Sequence, residues 1–411
     1  AAAFDHQPAR VVASATLPDP LEQTAAAAER AAAVRQQAVT FAMHRNIERN
    51  AVPHERDYLR DALSRSMGHA TVHDIHQEFE RQVRAGQFVS VPQRAGTPGR
   101  AFTTPAMIAL ETQTIAAMRE GKETQPALIR EDTRLAIARE YPHLTADQRA
   151  AIDEIFANRD RVQALEGVAG AGKTTTLAAV RDAAERDGYA VEGLAPTGRA
   201  AQKLAEAGMP ARTLQHHLTQ QRPPAEADMR RLYVLDESSL ASTTQMHAFL
   251  TRLELHDRVL LVGDARQHQA VDAGRPYEQQ QEAGIAVARL VDIKRQEDPA
   301  LKAVVEQLAR GDVRRAVGQL EEQGRVHEIV DRRARLGAVA QAYVAQPEGT
   351  LVVSPDNQSR EELNATIHRA LQAAGHVAQE EQRTRVLVPR QDLTGADRQW
   401  AGRYAPGDVV R

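Results

Sequence analysis

The run Gly167-Val-Ala-Gly170-Ala-Gly172-Lys173-Thr174 constrains this chain more than any other feature. It fits the phosphate-binding loop pattern G-x-x-x-x-G-K-[ST]. Its glycines let backbone N–H groups wrap a phosphate chain without Cβ clashes. A following helix would turn its positive N-terminus toward the anion. The context is right: an apolar strand at Val162–Glu166 comes before, and a helical pattern at Thr174–Arg186, closed by Gly188, comes after. Such a loop belongs at the carboxyl edge of a parallel sheet, so an α/β fold is expected. In that setting Lys173 would neutralise the β- and γ-phosphates of ATP, and the Thr174 hydroxyl would ligate Mg²⁺. Gly167, Gly170, Gly172 and Thr175 complete the expected cradle.

Two further strand ends extend the pattern. Leu232-Tyr-Val-Leu-Asp236-Glu237-Ser238 carries two carboxylates to the same edge. Asp236 is placed to hold Mg²⁺ through water, and Glu237 to orient or deprotonate the attacking water. Val259-Leu-Leu-Val-Gly263-Asp264-Ala-Arg-Gln267 repeats the design, with an amide, Gln267, that can sense a γ-phosphate. Between these segments, short apolar runs (Ala190–Leu194, Leu232–Leu235, Val259–Val262) alternate with helical patterns (Arg199–Ala207, Ser239–Leu253). A second strand–helix series is expected from near Arg289, with a strand at Thr350–Ser354 and a helix at Arg360–Ala374.

Composition closes off other classes. The absence of Cys excludes disulfides, Cys-ligated zinc, iron–sulfur clusters and thiol nucleophiles. The net charge of −3 announces neither a bulk nucleic-acid binder nor a membrane-surface protein. No apolar run approaches the roughly 18 residues of a membrane span, so no membrane insertion is expected. A cytoplasmic location fits. The basic residues are lopsided: five Lys (Lys122, Lys173, Lys203, Lys294, Lys302) against 47 Arg (52 − 5). A GC-rich genome accounts for most of that, as the many Ala residues suggest. The start lacks both a signal pattern and an initiator Met, as in a processed or excised chain.

The expected organisation is a linker over 1–20 and a small α-rich domain over 21–140. A nucleotide-binding domain would follow over 141–288, and part of a further domain over 289–411. In the second segment, helices at Leu21–Arg49, Asp57–Ser66 and Thr71–Gly86 lead into a strand, a loop and a strand at Gln87–Thr104. That order fits a winged-helix-like module or a generic α+β module about equally. Thr104–Arg139 has a helical pattern again.

The ordered set GVAGAGKT, LAPTGRAA, YVLDESSL, LVGDARQ and IKRQ resembles superfamily I DNA helicases of the RecD-like branch. The wider pattern, over Val39–Val91, Phe102–Glu111, Thr350–Gly375 and Arg385–Arg411, is similar to conjugative relaxase–helicases of the TraI/TrwC type. The resemblance implies a RecA-like P-loop domain, with parallel strands and helices on both faces, followed by an incomplete second RecA-like domain. It also implies roles. Gln148, in Leu144-Thr-Ala-Asp-Gln148, would read the adenine edge. Pro196, Thr197, Gly198 and Arg199, with Thr213 and His216, would grip single-stranded DNA. Gln267 would link nucleotide state to DNA, and Arg295 would approach the γ-phosphate. A strand-separating element is sought in Thr219–Arg230.

By resemblance the activity is ATP-driven 5′→3′ translocation on the plasmid transfer strand. The implied partners are a type IV secretion coupling protein and relaxosome accessory proteins, with passage of the protein into the recipient cell alongside the DNA. Two departures accompany it. The late Gln-Gly and arginine-finger motifs, V and VI, are not found, so the chain resembles a fragment that would hydrolyse ATP weakly or not at all alone. The nicking Tyr and metal-binding His cluster are also missing; Tyr58 comes first, and His73 and His76 suit an exposed helix face. A decayed copy acting as a single-stranded DNA clamp is the alternative, opposed by the retention of Lys173 and Glu237. A small-molecule kinase or transporter ATPase is disfavoured by PTGRAA and GDxxQ.

Overall fold

The computed structural model describes residues 20–93, 99–168, 170–220, 229–265, 273–290, 298–380, 387 and 393–410. Residues 1–19 of the linker expected over 1–20, Gln267, Arg295 and most of the Thr219–Arg230 segment lie outside the described residues. Contacts divide the chain into two units, residues 1–296 with 392–411 and residues 297–391.

The first unit opens with α1 (Pro20–Arg49), α2 (Glu55–Arg65) and α3 (Val72–Arg84), then a hairpin of β1 (Val89–Val91) and β2 (Ala101–Thr103). Ala-rich sequence favours the long α1. A capping box between Thr71 and Asp74 starts α3, whose Ile75 and Phe79 are fully buried. The hairpin is antiparallel, with Ser90 opposite Phe102. Aromatic residues are only 4% of the chain, yet four of them meet here. The Phe79 ring lies 4.8 Å from Phe88 and 5.2 Å from Phe102, and Tyr58 lies 5.0 Å from Phe88. Aromatic contacts of this kind contribute about 0.5–1.5 kcal/mol each beyond burial.

Next come α4 (Pro105–Glu120), α5 (Glu131–Glu140) and α6 (Ala146–Ala157), then a parallel sheet with its helices. Its strands are β3 (Val162–Gly167), β4 (Tyr189–Ala195), β5 (Ala211–Thr213), β6 (Arg230–Leu235), β7 (Arg258–Gly263) and β8 (Val287–Leu290). Their spatial order is β5-β4-β6-β7-β3-β8, and every neighbouring pair is parallel. The central strands are near-continuous apolar runs, as burial on both faces demands. Leu165, Leu232, Val234, Leu260 and Val262 point into one core, under α6, α7 (Lys173–Arg186) and α8 (Gly198–Glu206). Leu194, Tyr233, Leu235, Val259 and Leu261 point into the other. That face is covered by α4, α9 (Leu214–Thr219), α10 (Thr243–Leu250) and α11 (Pro276–Glu282).

Three expectations are corrected. The boundary near residue 140 does not separate the helices before it from the sheet. Met118 of α4, Leu128 and Ile129 of the connection that follows it, and Ile137 of α5 lie in the sheet's own cores, where burial takes their apolar side chains out of water. The helical stretch Thr104–Arg139 is two helices, broken after Gly121. A Cβ there would sit 2.8 Å from that of Arg161, and Pro126 cannot continue a helix. The stretch Ser239–Leu253 shortens to a 3₁₀ turn, Ser238–Leu240, and α10, whose start is set by the Ser242–Gln245 capping box.

The second unit holds α12 (Pro299–Ala309), α13 (Val313–Glu322), α14 (Arg332–Ala345) and α15 (Asn357–Ala373). No strand occurs among its described residues, so the expected second strand–helix series is not formed there. Val287–Leu290 instead completes the first sheet beside β3. The stretch Leu351–Ser354 has no ladder partner among the described residues, and Leu351 and Val353 are 84% and 80% exposed. A parallel strand needs a neighbour for its N–H and C=O groups. Helices α14 and α15 are tied by Arg332 and Glu362, 2.9 Å apart.

Back in the first unit, the short helix α16 (Gly395–Arg398) packs on α1, and the 3₁₀ turn Ala401–Arg403 follows it. Arg45 pairs with Asp61 and, at 3.0 Å, with the fully buried Asp397. The Gly395 N–H donates to the Glu48 carboxylate at 2.7 Å.

Candidate nucleotide site and the loops beside it

Strand β3 delivers the glycine loop to the carboxyl edge of the sheet. Gly170 and Gly172 have φ of +83° and +81°, in the left-handed region that glycine tolerates. Gly172 is also the residue before α7, so the helix N-terminus opens at the loop. A Cβ on Gly172 would lie 2.5 Å from the Gln148 amide nitrogen. Gly167 runs beneath Lys173, whose ammonium donates to the Gly167 carbonyl.

Gln148 is buried, 2% exposed. Its Oε1 accepts from the Thr145 N–H at 3.1 Å, and its Nε2 donates to the Gly172 carbonyl at 3.2 Å. The amide expected at an adenine edge therefore also braces the loop. Thr176 adds a second brace, donating from its hydroxyl to the Gly172 carbonyl at 3.3 Å.

Strand β6 ends at Leu235, and the next two residues face the loop. Lys173, Thr174, Thr175, Asp236 and Glu237 line one cavity of about 630 Å³. Lys203, from α8, lines it too. A narrower cavity of about 170 Å³ brings Gly263 and Asp264 of the third strand end against Lys173, Asp236 and Glu237. The structure thus gathers the three expected strand ends at one place. Burial pushes the Asp236 carboxyl above its ordinary value, against the pull of the Glu237 N–H and of Lys173. The Glu237 N–H donates to Asp236 Oδ1 at 2.9 Å. The Thr174 hydroxyl and the Asp236 carboxyl, which line the same cavity, are oxygen donors of the kind that suits Mg²⁺. When bound, such an ion offsets charge on phosphate oxygens.

Glu237 takes φ +51°, a conformation L side chains rarely adopt. Outliers of this kind cluster at functional sites. Its Oε2 accepts from the Thr197 hydroxyl at 3.2 Å. Thr197 also caps α8, accepting from the Ala200 N–H. Thr197, Gly198 and Arg199 are exposed, with Pro196 half-buried, where β4 turns into the first residues of α8. Thr213 ends β5 opposite Ala195 and caps α9, whose His216 is exposed. Both segments expected to meet DNA therefore sit at the same sheet edge as the glycine loop. His217 does not join them. Its half-buried ring packs edge-on against Tyr233 and Phe249, and burial beside Arg212 and Arg252 pushes its pKa down to about 4. His73 lies exposed against Gln77, as expected. Sequence reasoning missed the Thr197–Glu237 contact, because nothing in the spacing of the two residues announces it.

Residues 143–331 match the family model described as AAA domain. A conjugal transfer protein TraA from Rhizobium radiobacter is 34% identical over 224 residues, covering 53% of this chain and 20% of TraA. The multifunctional conjugation protein TraI of Escherichia coli K12 is 28% identical over 387 residues, covering 81% of this chain and 22% of TraI. This chain is a homologue of the TraA and TraI conjugal-transfer proteins. The ATP-dependent RecD2 DNA helicase of Deinococcus radiodurans is 32% identical over 221 residues, covering 50% of this chain and 30% of that protein. The chain spans about a fifth of the length of the TraA and TraI relatives. The glycine loop, both carboxylates and the Thr197 loop all lie inside the AAA match.

Proposed function

We propose that this chain is the motor part of a conjugative relaxase–helicase, an ATP-driven translocase on single-stranded DNA with 5′→3′ polarity. The hydrogen bond from Thr197 to Glu237 carries the reading. It joins the loop offered to DNA with the carboxylate offered to the attacking water. A strand moving over Thr197–Arg199 would change the Glu237 environment, and nucleotide at Glu237 would change the loop. Such reciprocal coupling is what a motor needs.

The other residues take supporting parts. Lys173 and the N–H groups of Gly170 to Thr175 hold the phosphates, and Thr174 and Asp236 hold Mg²⁺. Gln148 braces the loop and stands near the adenine side. Gln267 and Arg295 would report on and approach the γ-phosphate. Arg199, Thr213 and His216, with Pro196 and Gly198, would track the DNA backbone without regard to sequence, so affinity should fall steeply with salt. In the cell, the transfer strand of a plasmid is the track, and the secretion coupling protein and relaxosome proteins are the partners. The test is paired titration with a fluorescent ATP analogue and with oligothymidylate. Lys173→Ala should abolish nucleotide binding and leave the fold and nucleotide-free DNA binding intact. Nucleotide binding that survives this change at wild-type affinity refutes the site.

A further inference from the structure

Away from the glycine loop, α1 and the segment around α16 enclose an open groove of about 610 Å³. The chain's single tryptophan stands in it. The Trp400 ring meets Phe41 edge-on at 5.3 Å and 75°. The Arg65 guanidinium lies over both rings, 5.0 Å from the Trp400 centroid and 5.6 Å from that of Phe41. Both rings are half-buried, while Arg65 is exposed. The rim carries Gln37, His44 and Gln399. No carboxylate lines the groove among the described residues, in a chain with 55 acidic residues. The nearest carboxylate on α16, Asp397, is wholly buried and engaged by Arg45 and, at 2.9 Å, Arg403.

We propose that this groove is a base-stacking site that holds one unpaired nucleotide of single-stranded DNA. The proposal rests on the single-stranded DNA reading above and adds a contact outside the AAA domain. Two aromatic faces and a guanidinium plane suit the π-face of any base, and stacking of this kind is tolerant of sequence. Arg65 brings the positive charge that the adjoining phosphate needs, with no carboxylate to repel it. The amides and imidazole of the rim can meet a base edge in either donor or acceptor sense. The only aliphatic lining residues are Ala33 and Ala396, so there is no deep apolar wall for the leucine or isoleucine anchors of a protein partner.

The site is also pre-organised. Asp397 ties the segment carrying Trp400 to Arg45 of α1, Thr394 caps α16, and Gly395 is held by Glu48. Gly402 passes so close under the indole that a Cβ there would lie 2.9 Å from it. Stacking surfaces fixed before binding cost less to order when the base arrives.

Because Trp400 is the only tryptophan, its emission reports this groove alone. Fluorescein-labelled oligothymidylate is titrated into the unmodified chain at fixed salt, reading anisotropy and, with unlabelled oligomer, tryptophan emission. The account expects saturable quenching with the same midpoint as the anisotropy. Phe41→Ala and Arg65→Ala should each weaken binding about fivefold or more, with circular dichroism unchanged. Oligomer that binds by anisotropy while Trp400 emission stays flat and both variants bind like wild type overturns the groove and leaves the single-stranded DNA reading standing. No anisotropy change in the unmodified chain overturns both. The emission measurement needs no variant, so it decides even if one substitution misfolds.

Discussion

Replacing Gly172 by alanine strikes the point where the glycine loop, α7 and Gln148 meet. Alanine at φ +81° costs about 1–2 kcal/mol. Its Cβ would lie 2.5 Å from Gln148 Nε2, so the amide must leave the Gly172 carbonyl. That forfeits a hydrogen bond of about 0.5–1.5 kcal/mol. Together the two come to about 1.5–3.5 kcal/mol. The loop can shed this strain only by leaving its cradle shape, so the loss should appear in nucleotide binding, weakened about ten- to three-hundredfold. The assay is a titration with a fluorescent ATP analogue, run beside urea denaturation to keep affinity and stability apart. Gln148→Ala removes the same bond without the backbone strain. In that background, Gly172→Ala should cost less than it does alone, because the collision and the shared bond are already gone. Two penalties that add in full would refute the claim that Gln148 braces the loop through Gly172.

Other changes separate the remaining roles. Measured in the complete protein, Glu237→Gln should cut ATP turnover about a hundredfold or more while nucleotide affinity stays within a few-fold; retained turnover would remove Glu237 from the chemistry. Thr197→Val should lose the bond to Glu237 and the α8 cap, costing about 1 kcal/mol in urea denaturation and blunting the response of turnover to DNA. Thr197→Ser should keep both, and a valine variant with a normal DNA response would break the proposed link. Asp236→Asn should make the fold more stable at neutral pH, because burial raises the Asp236 carboxyl above its ordinary 3.8. A raised folded value means the protonated form is the one the fold favours. The gain over wild type should therefore vanish as pH falls below about 3.8 and grow as pH rises through the folded value; a gain independent of pH would contradict the burial argument.

The sequence makes the nucleotide site legible because phosphate chemistry leaves little freedom. Gly170 and Gly172 must take positive φ, Lys173 must follow them, and the apolar run to Asp236 must be a buried strand. All six strands of the sheet except the three-residue β5 and the edge strand β8 announce themselves as apolar runs. Harder to see is what covers them. Met118 and Ile137 sit in ordinary helical patterns, Leu128 and Ile129 in the connection between them, and local pattern alone does not say which core receives them. The run Leu351–Ser354 looks like a strand because strand propensity is local, whereas a strand exists only with a neighbour. Contacts between distant residues, such as Thr197 with Glu237 or Phe41 with Trp400, leave no trace in local pattern. They follow from the sheet order and from the return of the chain onto α1.

The central claim is that the nucleotide site and the DNA-facing loops at the sheet edge are thermodynamically linked. The most direct measurement is the affinity of this chain for oligothymidylate with Mg²⁺ and a non-hydrolysable ATP analogue, against the same titration with Mg²⁺ and ADP. The account predicts dissociation constants that differ by about fivefold or more, and a difference that disappears in Lys173→Ala. Equal affinities in the two nucleotide states, with nucleotide demonstrably bound in both, would contradict it.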